Sequence, residues 1–271
     1  DIRRQPTGIH ARIRAFIDDT PLPWNTFNVE KDEDRLRLAN SVHRMLVEYS
    51  AEAALACPKA QLKYDMDAFC TALWPTWIAS NMPEEVGGEE SELTFLAKPF
   101  ILRNGGTILF APPGAGKSWI GLLMGVSVDA GRGHADLWEV SPAKALVVNL
   151  ERSTASFRRR LAQVNQLLGL PADRKLLMLN ARGRSLNDVL EPCIAAVKRH
   201  GVGFVILDSI SRSGMGKLVA DEVGNAIIDT LNKLCPTWLA IAHTPRMSKE
   251  HTFGSVMFDA GADVIVQLLS Q

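Results

Sequence analysis

The chain has 271 residues, 46% hydrophobic and 22% charged, with a formal net charge of +0. This composition excludes wholesale disorder and fibrous or low-complexity architecture, and the neutral balance removes any simple case for a globally basic nucleic-acid binder or a membrane-surface protein. The balance is uneven, however: residues 1–100 carry 11 basic and 16 acidic side chains, and residues 101–271 carry 19 and 14.

Residues 1–90 read as a separate, helical accessory or oligomerisation region. Ile9, Ile13, Phe16 and Ile17 share one helical face, although the same residues also fit an alternating strand. The segment 21–25, with Pro21 and Pro23, breaks the chain. Leu36, Ala39, Val42, Met45, Leu46, Tyr49 and Ala53 then mark one amphipathic helix over 32–56. A second apolar stretch, 66–80, carries Trp74 and Trp77 and is interrupted by Pro75. Residues 81–92, rich in Pro, Glu and Gly, are the linker candidate.

After residue 100 the texture changes. Apolar runs at 107–110, 145–150, 176–179, 204–207, 238–242 and 264–269 alternate with helical patterns. Strands buried on both faces read as continuous apolar runs, and alternation with helices requires parallel pairing through right-handed crossovers. The expectation is a three-layer α/β domain over 91–271. No apolar run approaches the ~18 residues of a membrane span, so no membrane partner is expected. Cys57, Cys70, Cys193 and Cys235 form no CxxC pair and read as buried thiols. The chain opens on Asp1 and stops just after an apolar run, the expected look of a fragment or processed chain.

The strongest chemical signal is residues 111–118, APPGAGKS, between the first strand of this domain and a helix. That is the context of a phosphate-binding P-loop. Gly114 and Gly116 let backbone N–H groups turn around an anion, and the helix N-terminus adds unpaired donors. Pro113, Gly114, Ala115, Gly116, Lys117, Ser118 and Trp119 form the candidate nucleotide site. Lys117 suits the β- and γ-phosphates of ATP, and Ser118 suits Mg²⁺. Ala111 replaces the usual first glycine.

Three strand ends complete the pattern. Asp208 closes the apolar strand FVILD and is the candidate metal acid. Glu151 follows the 145–150 strand and is the candidate general base, with a helix-terminal charge as the plainer alternative. His243 ends the 238–242 strand, at a position suited to sensing the γ-phosphate. Arg158, Arg159 and Arg160 are consecutive on a helix, cannot share one face, and read as solvated surface.

The segments PGAGKSW, VNLERSTASFRRR, FVILDSIS, AHTPR and GSVMFDAGADV together resemble RecA-like P-loop ATPases, in particular the group of RepA-type hexameric replicative helicases and AAA_25-like phage and plasmid ATPases. The resemblance covers about residues 95–271. It implies Lys117 and Ser118 on ATP and Mg²⁺, Glu151 as catalytic glutamate, Asp208 on the metal, and His243 as sensor. It also implies a site completed by a neighbouring subunit, with Arg246 the first candidate finger and Lys249 the second. Two channel-facing loops would lie at 211–219, with Arg212 and Lys217, and at 244–252, with Lys249. These residues are the candidate contacts to single-stranded DNA. The expected protein is an oligomer, a hexamer by resemblance, in the cytoplasm of a bacterial or phage-infected cell. Two alternatives stand beside a helicase or translocase: a filament-forming recombination or annealing factor, and a nucleotide-controlled assembly module without DNA. ABC-type LSGGQ and guanine-reading NKxD segments are absent.

Overall fold

The computed structural model describes residues 2–17, 20–21, 25–85, 87, 92–134, 137–244 and 252–269. The chain divides into two compact units, Asp1–Glu90 and Ser91–Gln271.

The first unit begins with strands β1 (Ile2–Gln5), β2 (Gly8–Ile13), β3 (Phe16–Ile17), β4 (Thr20–Pro21) and β5 (Asn25–Asn28). β1, β2 and β5 form an antiparallel sheet in that order, and β3 pairs with β4. The chain therefore takes the strand alternative at Ile9, and the expectation of a wholly helical region is corrected. In β2, Ile9 and Ala11 are buried while His10 and Arg12 are more exposed, the period-two signature of a strand with one covered face. Three helices follow: α1 (Asp32–Tyr49), α2 (Ala51–Ala56) and α3 (Lys59–Ser80). The single helix expected over 32–56 breaks at Ser50. Its backbone is extended and its Oγ caps α2 by accepting from the Ala53 N–H at 3.3 Å. α3 continues through Pro75. Leu38, Val42 and Leu46 of α1 pack with Ile9, Phe27 and Cys70 in one core. Arg35 Nε donates to Asp67 Oδ1 at 2.7 Å and ties α1 to α3. Residues 86 and 88–91 of the linker candidate lie outside the described residues.

The second unit opens with β6 (Phe95–Lys98), β7 (Ile101–Leu102) and β8 (Gly106–Ala111), followed by α4 (Lys117–Ala130), β9 (Glu139–Val140) and β10 (Lys144–Asn149). Next come α5 (Thr154–Leu167), β11 (Leu177–Asn180), α6 (Leu190–His200), β12 (Val202–Asp208), α7 (Asp221–Leu234), β13 (Trp238–His243), α8 (Met257–Ala260) and β14 (Val264–Gln267). Six strands form a parallel sheet in the order β11-β10-β12-β13-β8-β14. All six expected strands are present. β6, β7 and β9 add a small antiparallel sheet that the sequence pattern did not suggest.

The sheet's two faces bury alternate residues. Leu109, Val147, Ile206 and Leu239 pack under α4 and α5. Ile108, Val148, Leu207 and Ala240 pack under α6 and α7. The result is the three-layer α/β architecture. At the N-terminal edge, buried Asp129 of α4 receives Arg174 at 2.6 Å, Lys144 at 3.1 Å and the Ala145 N–H at 2.9 Å. Burial opposes its ionisation, but these three donors outweigh it and hold the carboxyl below its ordinary value. The four cysteines are free thiols, and Cys70, Cys193 and Cys235 are buried. Among the described residues no helix is long and apolar enough to cross a membrane.

Candidate nucleotide site

Parallel sheets open their ligand crevice at the C-terminal ends of the strands. β8 delivers the P-loop there, β10 delivers Glu151, β12 delivers Asp208, and β13 delivers His243. Gly114 and Gly116 stand at φ 86° and 94°. A Cβ built at either meets nothing within 4 Å, so it is the backbone conformation that demands glycine there. Gly116 precedes the first turn of α4, which contains no acidic residue. The turn therefore presents its N–H groups and positive dipole end without a competing carboxylate.

Lys117 is buried, and its Nζ donates to the Ala111 carbonyl at 2.7 Å and the Pro112 carbonyl at 2.8 Å. Burial pulls its pKa below the ordinary lysine value, with Glu151 and Asp208 opposing. A pocket of about 150 Å³ lies over the loop, lined by Gly114, Gly116, Lys117, Ser118, Trp119, Glu151, Arg152, Arg160, Asp208, Ile241 and His243. Gly114, Gly116, Lys117, Ser118, Trp119, Glu151, Asp208 and His243, all expected from the sequence, thus line one space. Pro113 and Ala115 do not line it; the Ala115 N–H closes the loop onto the Pro112 carbonyl at 3.3 Å.

Asp208 is 8% exposed, and its Oδ1 is buried without a hydrogen-bond partner. Burial raises its pKa, Glu151 adds to the rise, and a hydrogen bond from Ser118 opposes it. An acid buried beside a second acid, with an oxygen unsatisfied, is a place that a divalent cation would relieve. Ser118 and Asp208 are the two oxygen donors there, which suits Mg²⁺, an ion that binds through few protein ligands and keeps its waters. The Asp208–Ser209 peptide is cis.

Glu151 accepts hydrogen bonds from Ser209 Oγ and, at 3.4 Å, from Ser211 Oγ. His243 Nε2 lies 3.6 Å from its Oε1. His243 is the main cause, with Ser209 assisting against burial, of a carboxyl pKa lowered to about 2. Asn149 fixes the turn carrying this glutamate. Its Oδ1 accepts from the Arg152 N–H at 2.9 Å, and its Nδ2 donates to the Arg152 carbonyl at 2.7 Å.

Two features were not anticipated. Arg160, expected on solvated surface, instead lines the pocket with its guanidinium 5.1 Å over the Trp119 ring. Burial lowers its pKa while Asp208 and Glu151 oppose the shift, so it sits in the field of both acids. Its neighbours Arg158 and Arg159 are exposed, and nine residues after Glu151 was the available signal. Asn149 was legible only as a polar residue ending an apolar strand. Arg212 and Lys217 are exposed in the loop after β12, and neither lines the phosphate pocket. Arg246 and Lys249 lie outside the described residues. Gly254, in the GSVMFDAGADV segment, has φ 129°, and a Cβ there would meet the Phe258 ring at 2.7 Å and the Leu218 carbonyl at 2.9 Å.

Fold and site together define a RecA-like P-loop ATPase. Residues 82–246 match the family model described as AAA domain (AAA_25), and the chain belongs to that family. Among solved structures it is similar to a KaiC-like protein from the hyperthermophilic archaeon Pyrococcus horikoshii OT3, at 17% identity and a TM-score of 0.45, over 65% of this chain and 78% of that one. No curated protein matches it.

Proposed function

We infer that the chain hydrolyses ATP with Mg²⁺ and, as an oligomer, couples hydrolysis to movement along single-stranded DNA. The observation that carries the hydrolytic part is the convergence of Lys117, Asp208 and Glu151 on one pocket. In this reading Lys117 exchanges the Ala111 and Pro112 carbonyls for phosphate oxygens. Ser118 and Asp208 hold the metal. Mg²⁺ held there would neutralise charge developing on the nucleotide phosphates. Glu151 is ionised at neutral pH and accepts a hydrogen bond from the attacking water. A strong base is not required, because phosphoryl transfer passes through a loose transition state governed by position and charge. Arg160 adds a cation beside the same space, and His243 links Glu151 to the loop beyond β13.

The coupling part is supported by the RecA-like class and by the exposed basic residues after β12. Arg246 and Lys249 remain the candidate finger and loop contacts, and Lys217 a candidate strand contact. ATPase rates with and without single-stranded DNA, alongside a solution mass, test it. Stimulation by the strand and a mass of several chains are expected. An ATPase indifferent to nucleic acid would favour the nucleotide-controlled assembly module.

A further inference from the structure

A second cavity, of about 900 Å³, adjoins the phosphate pocket and shares Glu151, Arg152 and His243 with it. Three neighbouring strand ends build its wall. Arg152 follows β10, Arg182 and Arg184 stand in the turn after β11, and Arg212 stands in the turn after β12. The sheet order β11-β10-β12 brings these turns side by side. The two outer turns are joined: the Leu186 N–H donates to the Ser213 carbonyl at 2.7 Å, and a Cβ on Gly214 would lie 2.8 Å from the Ser185 Cβ. The Arg184 N–H closes its own turn on the Ala181 carbonyl at 3.0 Å. The wall is thus a built surface, and all four arginines are exposed on it.

Four arginines line one space with a single carboxylate, Glu151, among the described lining residues. Among the described residues none of the four meets a carboxylate within 4 Å. Like charges so gathered repel one another, and a polyanion removes that cost while gaining forked hydrogen bonds to phosphate. Among the described residues no Trp, Tyr or Phe lines the cavity, which favours contacts to the backbone over base stacking.

We propose that this arginine cleft binds the phosphodiester backbone of a single nucleic-acid strand, with Arg182 and Arg184 as phosphate contacts alongside Arg212. The proposal rests on the reading of the chain as a strand-coupled ATPase and gives that reading a specific site. It also gives the strand a route to the chemistry. Ser211 touches both the cleft and Glu151, so a phosphate drawn to Arg212 moves a donor of the candidate catalytic carboxylate.

The test is fluorescence anisotropy with labelled dT20 and U20 on the full chain, titrated from 50 to 200 mM salt. Arg182→Ala/Arg184→Ala should weaken strand binding at least tenfold. Losing two phosphate contacts should also flatten the slope of log affinity against log salt by about 1.4. Arg182→Lys/Arg184→Lys, which keeps the charges, should recover most of that slope, a recovery that mere structural damage would not give. The dT20 and U20 arms decide whether the sugar is distinguished. Undiminished strand binding by the double alanine variant would overturn the cleft while leaving the coupled-ATPase reading intact. A wild-type chain that hydrolyses ATP but binds neither strand would overturn both. An acidic peptide matching residues 82–92 that displaces the strand and binds more tightly would make the cleft a protein contact and overturn the proposal.

Discussion

The phosphate pocket and the arginine cleft share a wall but are built on opposite electrostatic plans. The pocket sets buried Lys117 and half-buried Arg160 against Asp208 and Glu151, and burial shifts the pKa values of Lys117, Arg160 and Asp208. The cleft sets four exposed cations against one acid. Mixed, desolvated charge suits chemistry on one small group, because each side chain is positioned and its protonation tuned. Exposed charge of one sign suits a long, hydrated, sequence-independent ligand. The shared residues Glu151, Arg152 and His243 are where the two plans meet.

The sharpest way to break this contrast is at Glu151. Glu151→Gln should lower kcat by about 10²–10⁴ while ATP binding persists, as read by single-turnover hydrolysis and a fluorescent nucleotide. If the variant hydrolyses normally, the pocket lacks its assigned base. Lys117→Ala should instead weaken ATP binding itself by about 10–100-fold, the scale of a lost charge-assisted hydrogen bond.

Arg160→Ala should weaken ATP binding by about tenfold, whereas Arg158→Ala and Arg159→Ala should leave it unchanged. Titration calorimetry on the three variants separates a pocket cation from two surface ones. Equal losses in all three would erase the distinction.

Asp208 offers a smaller effect of opposite sign. Its folded-state pKa is raised, so its ionised form costs stability at neutral pH, and the cost fades as pH falls through that pKa. Asp208→Asn should therefore raise Tm by about 2–4 °C without Mg²⁺ and abolish any Mg²⁺-dependent rise with nucleotide. Glu151 runs the other way. Its pKa is lowered to about 2, so its stabilisation is complete above the ordinary carboxyl value of about 4.3 and is lost as pH falls toward 2. Acid unfolding followed by circular dichroism should show Glu151→Gln losing less stability than wild type across that window.

The same contrast explains what could be read in advance. The pocket was legible because its parts are local in sequence. Residues 111–118 carry the P-loop in one stretch, and Asp208, Glu151 and His243 each sit where an apolar run stops. A strand end in a parallel sheet can lead to only one edge, so the pattern places such residues together. Arg160 escaped because three consecutive arginines on a helix point three ways, and only the packing of α5 selects which one meets Trp119.

The first unit shows the limit from the other side. Ile9, Ile13 and Ile17 satisfy helical and strand periods alike, and for Ile9 and Ile13 the decision came from the pairing of their strand with Asn25–Asn28, which puts Ala11 opposite Phe27. By itself the sequence determined the alternation of strands and helices, the phosphate loop and the acids at the sheet's edge, because each is written as a short-range pattern. Tertiary structure decided the sheet of the first unit, the aim of Arg160 and the gathering of Arg152, Arg182, Arg184 and Arg212. Those depend on the strand order β11-β10-β12 and on partners distant in the chain, and no local run of residues encodes which strands become neighbours.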